Sequence, residues 1–117
     1  MLGPQTLLLA RYMDLLSQRQ KVTATNIANA DTPGYRTRDI EFQLQLSQAL
    51  QGLDLERPAP TAIHEVGDLP VKNDGNDVSL EREMQTLSET AIRFGLATML
   101  VRGNLESVRR AIREGRS

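Results

Sequence analysis

Apolar side chains recur in the second half of the chain at Leu80, Met84, Leu87, Ala91, Phe94, Thr98, Val101, Leu105, Val108 and Ile112, in steps that alternate between four and three residues. A repeat of 3.5 residues held over more than four heptads predicts one long helix from Ser79 to about Ile112, with a narrow apolar stripe that must face other helices along its length. At 1.5 Å per residue such a helix is roughly 50 Å long, more than a compact domain of 117 residues needs. Its ends are signalled: Ser79 can cap the first turn, Glu81 and Glu83 complement the positive end of the dipole, and Arg109, Arg110, Arg113 and Arg116 complement the negative end before Gly115. Gly95 and Gly103 lie inside the run, each costing about 1 kcal/mol relative to Ala, and mark either a close helix approach or a bend.

A second helical pattern spans Gln5 to Ala30. Leu8, Leu9, Tyr12, Leu15, Leu16, Val22, Thr23 and Ile27 share one broad face, with Arg11, Asp14, Gln18 and Lys21 largely elsewhere and Arg19 interrupting the seam. Two long helices at opposite ends of the chain, each with one sticky face, predict antiparallel pairing and packing against copies or relatives. Met1 to Pro4 are expected to hang free until something binds them.

The first helix runs into Asn29-Ala30-Asp31-Thr32-Pro33-Gly34-Tyr35. Pro33 disfavours helical geometry at Thr32, and Pro33-Gly34 fits the central positions of a type II turn, which needs positive φ at its third residue. Asn26 and Asn29, three apart on the last helical turns, either carry solvated amides or hydrogen-bond backbone in the turn or in a neighbouring subunit. Further on, Phe42, Leu44, Leu46, Ala49, Leu50 and Leu53 predict a short helix, although Leu44 and Leu46 would also alternate on a strand. Arg57-Pro58-Ala59-Pro60 is an extended breaker. The stretch from Leu69 to Val78, with Asp74-Gly75 as its turn, has the chemistry of a small hairpin, and Pro70 would confine its strand to an edge. The expected fold is therefore mainly α: long N- and C-terminal helices in an antiparallel, coiled-coil-like pair with a small irregular or β-hairpin middle. The chain divides into 1–35, the first helix and turn, 36–78, a variable arm, and 79–117, the heptad helix.

Composition narrows the function. Only Tyr12, Tyr35, Phe42 and Phe94 are aromatic and 39% of residues are apolar, which argues for a seam that serves as an intersubunit surface rather than a large private core. The net charge of -1 gives no global pull towards nucleic acid or a membrane surface. Cysteine is absent, which removes disulfides and thiolate metal sites. The N-terminus does not read as a cleaved signal, and no stretch is apolar for the about 18 residues a membrane span needs. His64 is the single histidine, and Asp74, Asn76 and Asp77 around Gly75 resemble part of a calcium loop without its closing Glu. Ser17, Ser47, Ser79 and Ser88 lie in helical patterns with one available base, so no nucleophilic triad can be argued. No catalytic, metal or cofactor site is expected. The terminal arginines come with Glu106 and Glu114 and lack interleaved aromatics, which fits a helix end better than nucleic-acid binding.

Thr25-Asn26-Ile27-Ala28-Asn29-Ala30-Asp31-Thr32-Pro33-Gly34-Tyr35 closely resembles the signature of bacterial flagellar rod and hook proteins, usually Ser-Asn-(Ile/Leu)-Ala-Asn-x-x-Thr-x-Gly-Tyr. Arg36 to Phe42, and Asp74 to Met84 leading into the last helix, resemble the proximal-rod type of that family. The likeness covers about the first 42 and last 45 residues; Thr25 replaces the commoner Ser, Gly95 replaces a longer polar residue, and there is no room for the β-rich insertion of distal rod and hook relatives. An eleven-residue motif is a specific signal. The resemblance implies a structural, non-enzymatic subunit of the basal-body rod, exported through the flagellar type III apparatus without a cleaved signal and polymerising helically in the periplasm to transmit torque. Its implied partners are copies of itself, other rod proteins, and the rod-base adaptor, MS-ring and export gate, with no nucleic acid and no membrane insertion. It also implies a middle arm that orders on assembly. The implied sites are Asn26, Ile27, Ala28, Asn29, Thr32, Pro33, Gly34 and Tyr35 in the turn, and for subunit packing Leu8, Tyr12, Leu15 and Val22 with the seam residues of the last helix. A helical coiled-coil adaptor or export chaperone would explain the seam but not the turn; a DNA-binding helical protein would explain only the arginines, and would show steeply salt-dependent duplex binding.

Overall fold

The computed structural model describes residues 3–52 and 61–115. Met1 and Leu2, Leu53, the breaker at 57–60 and Arg116 lie outside them. Five elements follow in order: α1 (Pro4–Ala28), β1 (Arg38–Ile40), α2 (Phe42–Leu50), β2 (Ile63–Glu65) and α3 (Leu80–Glu114). The structure is mainly helical with a long helix at each end and one small antiparallel strand pair. It measures 70 × 25 × 16 Å, the elongated shape that the length of the seam helix predicted.

Both long helices start where their sequences allow. Pro4 takes the first position of α1, where a missing N–H costs nothing. Ser79 caps α3 through its hydroxyl, which accepts from Arg82 N at 3.3 Å. The helices are antiparallel: Gln5 and Thr6 sit beside Asn104, Ser107 and Val108, while Asn26 near the other end of α1 reaches Glu83.

A small core fills the angle between α1, β1, α2 and α3. Leu15, Leu16, Ile40 and Phe42 are buried together, with Tyr12, Val22, Leu46 and Phe94 packed around them. Complete burial of such side chains stabilises by about 1.5–3 kcal/mol each. Phe42 anchors α2, its ring meeting Tyr12 edge-on at 6.1 Å and lying 5.5 Å below the Arg19 guanidinium. Arg19 itself forks onto Asp39 at 3.1 and 3.3 Å, so the residue that broke the apolar pattern joins α1 to β1. Arg11, expected off the packed face, is 6% exposed and bonds Asp14 and Gln45 at 2.9 Å, because α2 covers that side of α1.

Two further expectations change. The helix over Phe42–Leu50 forms as predicted, but residues 69–78 make no strand: Gly75 N bonds Lys72 O at 2.9 Å and Lys72 N bonds Asn76 O at 2.8 Å, a tight turn without a ladder. The pairing joins more distant segments instead, Arg38 opposite Glu65, Asp39 opposite His64 and Ile40 opposite Ile63. In α3 the register covered within the chain is Glu83, Leu87, Thr90, Phe94, Ala97, Val101 and Asn104, again a heptad but turned away from Met84 and Ala91. A hydrophobic pattern does not anticipate this because half of the covered positions are small or polar. A Cβ at Gly95 or Gly103 would meet nothing within 4 Å, so neither marks a close approach within the chain.

Candidate functional site

Where α1 ends, Tyr35 N bonds Thr32 O at 3.2 Å across Pro33-Gly34, with φ at Gly34 of +76°. This is the turn the Pro-Gly pair predicts. Asn29 braces it, donating to Thr25 O at 2.8 Å and accepting from the Thr32 hydroxyl at 3.1 Å. The turn then docks on the segment before α3. Gly34 N donates to Asp74 O at 2.9 Å, and a Cβ on Gly75 would sit 3.3 Å from the Gly34 Cα, so two positive-φ glycines let two backbones meet.

Three side chains lock this contact. The Asn76 amide is fully buried: Nδ2 donates to Asn29 O and Thr32 O, both at 2.8 Å, while Oδ1 accepts from Val78 N at 2.8 Å. Asp77, also buried, accepts from the backbone N–H of Thr37 and from its hydroxyl at 2.9 Å, with Arg36 at 3.7 Å on its other oxygen. Asn26 is 1% exposed and makes four bonds. Its Nδ2 donates to Arg38 O at 2.8 Å and Glu83 Oε2 at 3.2 Å. Its Oδ1 accepts from Tyr35 OH at 2.9 Å and Arg38 N at 3.1 Å.

The position of Asn26 follows from sheet geometry. Val66 N donates to Thr37 O, on the side of β1 that faces β2, so the N–H and C=O of Arg38 point the opposite way. There the Asn26 amide meets both, as a peptide of a third strand would. Glu83, 1% exposed, is held by Asn26 and by Arg82 Nη1 at 2.7 Å. Burial raises the Tyr35 phenol above its ordinary value; Arg38 opposes this, and Glu83 and Asp77 add to it.

The turn residues thus divide. Asn26 and Asn29 bond within the chain, Ile27 and Tyr35 are half-buried, and Ala28, Thr32, Pro33 and Gly34 are exposed. Among the packing residues, Leu15 is buried, and Leu8, Tyr12, Val22, Leu87, Phe94, Thr98 and Val101 are half-buried. Leu80, Met84, Ala91, Leu105, Val108 and Ile112 are exposed. Sequence reasoning missed Asn76, Asp77 and Glu83 as anchors. The signal available was an Asn-Asp pair beside a turn glycine and a carboxylate at a helix-packing position. Their polar atoms all bond backbone or side chains of this chain, so the cluster is equipped to hold two ends of a polypeptide together rather than to transform a substrate. His64 lies outside it, 3.4 Å from Glu41.

The family described as flagella basal body rod protein matches residues 13–36, the second half of α1 and the turn. The flagellar basal body rod protein FlgB of Borrelia hermsii is 33% identical, over 84% of this chain and 87% of its own length. The chain belongs to the FlgB family of flagellar basal body rod proteins. FlgB of Escherichia coli K12 is 29% identical over 88% of each chain, and that of Buchnera aphidicola 29% over 82% of this chain and 84% of its own. These matches extend well beyond the signature and reach into both long helices. The FlgB family is structural, and this member is not an enzyme.

Proposed function

We propose that this chain is a structural subunit of the proximal rod in the bacterial flagellar basal body, assembling helically with its own copies and with other rod proteins to transmit torque. Beside the FlgB likeness, one observation carries the reading: α3 leaves nine large apolar side chains exposed, on more than one side. Ile92, Leu96 and Met99 lie opposite the face that meets α1, and Leu105, Val108 and Ile112 continue that face beyond it. A helix apolar around most of its circumference is built to be surrounded. The exposed and half-buried seam residues from Leu80 to Ile112, with Leu8, Tyr12 and Val22, form the subunit-packing set in this reading, whereas Leu15, expected in that set, is 0% exposed and belongs to the chain's own core. The turn from Asn26 to Tyr35 fixes the angle at which the chain leaves α1. The periplasmic location, export without a cleaved signal, and contacts with the rod-base adaptor, MS-ring and export gate belong to the same proposal. Among the described residues no helix is long and apolar enough to cross a membrane.

The test is Gly34→Val in the cell. A β-branched residue tolerates φ of +76° badly, even though a Cβ there meets nothing within 4 Å, so the damage is to the direction of the chain. Cells making this variant should lack rods and hooks, while Gln18→Ala, at a side chain that among the described residues bonds only Asp14, leaves both intact. Complete flagella in the Gly34→Val strain would refute the role given to the turn.

A further inference from the structure

β2 is the most thinly held element of the fold. Its three residues are all exposed, and it pairs with β1 alone. Just past the strand, Val66 N donates to Thr37 O at 2.9 Å. β1, by contrast, is fixed from its other side, where the Asn26 amide meets both peptide groups of Arg38 and Arg19 forks onto Asp39. Loss of β2 would leave β1 in place with one edge open.

His64 is the middle residue of β2 and the single histidine of the chain. Its Nδ1 lies 3.0 Å from Glu65 O and its Nε2 lies 3.4 Å from Glu41 Oε1. A carbonyl oxygen and an ionised carboxylate only accept, so each ring nitrogen needs a hydrogen to bond its neighbour. Neutral imidazole has one N–H to give. With it on Nδ1, the lone pair of Nε2 confronts the Glu41 carboxylate; with it on Nε2, the lone pair of Nδ1 confronts the Glu65 carbonyl. Only the imidazolium ion donates to both. The neighbouring charges favour the same form. Asp39, the cross-strand partner of His64, shares its face of the ribbon and is already held by Arg19 of α1. Glu41 stands at the start of α2, where the helix dipole favours negative charge. Arg38 and Glu65 are partners on the opposite face, where Lys21 of α1 lies with Arg38 and Ile63.

We propose that His64 is a pH-operated clasp for the middle arm. The Nδ1 hydrogen bond to Glu65 O sets the ring, and the protonated Nε2 ties β2 to Glu41 at the start of α2. Loss of the proton breaks that tie and frees β2 from the edge of β1. An imidazole takes up its proton at mildly acid pH, so the clasp is shut there and slackens as pH rises. The freed edge of β1 then offers unpaired N–H and C=O groups to another extended segment. This holds whatever assembly the chain enters.

The experiment is amide hydrogen exchange, followed by nuclear magnetic resonance on the purified full-length chain at about pH 5.5 and about pH 7.5. It is read at Val66 N–H, with the intrinsic pH dependence of exchange divided out, and referred to the amide of Leu16 in the buried face of α1. Val66 protection relative to Leu16 should be about two- to fivefold greater at the acid value, the range open to an exposed ion pair. His64→Ala and Glu41→Gln should each abolish that difference and leave Leu16 as in the parent, since both side chains are exposed and outside the core. His64→Lys, a cation throughout this range, should protect Val66 equally at both values. Equal protection at both values in the parent overturns the clasp, as does a difference that persists in His64→Ala or Glu41→Gln. A Val66 amide that exchanges at both values as fast as in an unfolded peptide overturns it too. So does a loss in His64→Ala that lowers Leu16 and Val66 alike, which would make the ring a structural support without a pH response.

Discussion

Asn26→Ala should be the most damaging single truncation in the anchored turn. It takes a partner from four groups: Arg38 N–H, Arg38 C=O, the Tyr35 hydroxyl and the Glu83 carboxylate, which keeps Arg82 on its other oxygen. A buried polar group deprived of its bond costs about 1–3 kcal/mol. Glu83 is 1% exposed and bears the larger figure, whereas water can reach Arg38 and part of Tyr35. The expected loss is about 3–5 kcal/mol, against a total of roughly 5–15 kcal/mol for a typical domain. Asn29→Ala is the control, since its two bonds lie at the surface and their loss should cost about 0.5–1 kcal/mol. Asn26→Asp keeps the shape but removes both donors and faces Glu83 with a second carboxylate. It should be at least as harmful at neutral pH, and its deficit relative to Asn26→Ala should shrink on acidification as the pair takes up a proton. Urea unfolding followed by far-ultraviolet circular dichroism measures all three. A loss below about 1 kcal/mol for Asn26→Ala, or one no larger than that of Asn29→Ala, would refute the argument that this amide joins the halves of the chain.

Two other outcomes follow from burial and charge. Leu87→Asp puts a carboxylate against α1 and should destabilise the isolated chain by about 2–4 kcal/mol, whereas Leu105→Asp, at a side chain 46% exposed, should leave its unfolding curve nearly unchanged while abolishing motility; equal effects on the isolated chain would show that the covered register is wrong. The Tyr35 phenol titrates above its ordinary value of 10.0 because burial disfavours the phenolate. The folded state then holds its proton longer than the unfolded chain, so the stability Tyr35 contributes is present below about pH 10 and is lost as pH rises through the folded value. Ultraviolet titration of the phenolate in a Tyr12→Phe background, with unfolding measured alongside, should show both, and a Tyr35 transition at or below the ordinary value would contradict the burial argument.

The parts of the fold legible in the sequence are those that local rules govern. The 3.5-residue repeat gave α3 its length, Ser79 gave its start, and Pro33-Gly34 gave the turn, because helix period, capping and permitted φ depend on neighbours a few residues away. The short helix after Phe42 was legible for the same reason. The hairpin expected over Leu69 to Val78 was the failure. Its Asp74-Gly75 turn is present and is closed by Lys72 N to Asn76 O, but no ladder follows, because Asp74 O and Asp77 N bond Gly34 and Tyr35 instead.

Two long amphipathic helices, a turn after the first of them and too few aromatic residues for a large core were all readable from local pattern and composition, and the motif was enough to point to the rod family. Tertiary structure alone decided which side of α3 is covered. The buried register includes Glu83 and Thr90 because Asn26 and Arg82 hold the carboxylate and the Thr90 hydroxyl bonds Thr86 O, conditions a hydrophobic pattern cannot register. It also decided the pairing of β1 with β2 and the work of Asn76 and Asp77, whose partners lie 40 to 47 residues away. Such contacts depend on where the helices bring distant backbone groups. An amide or a carboxylate has the same local propensity whether it ends in water or between two segments of the chain.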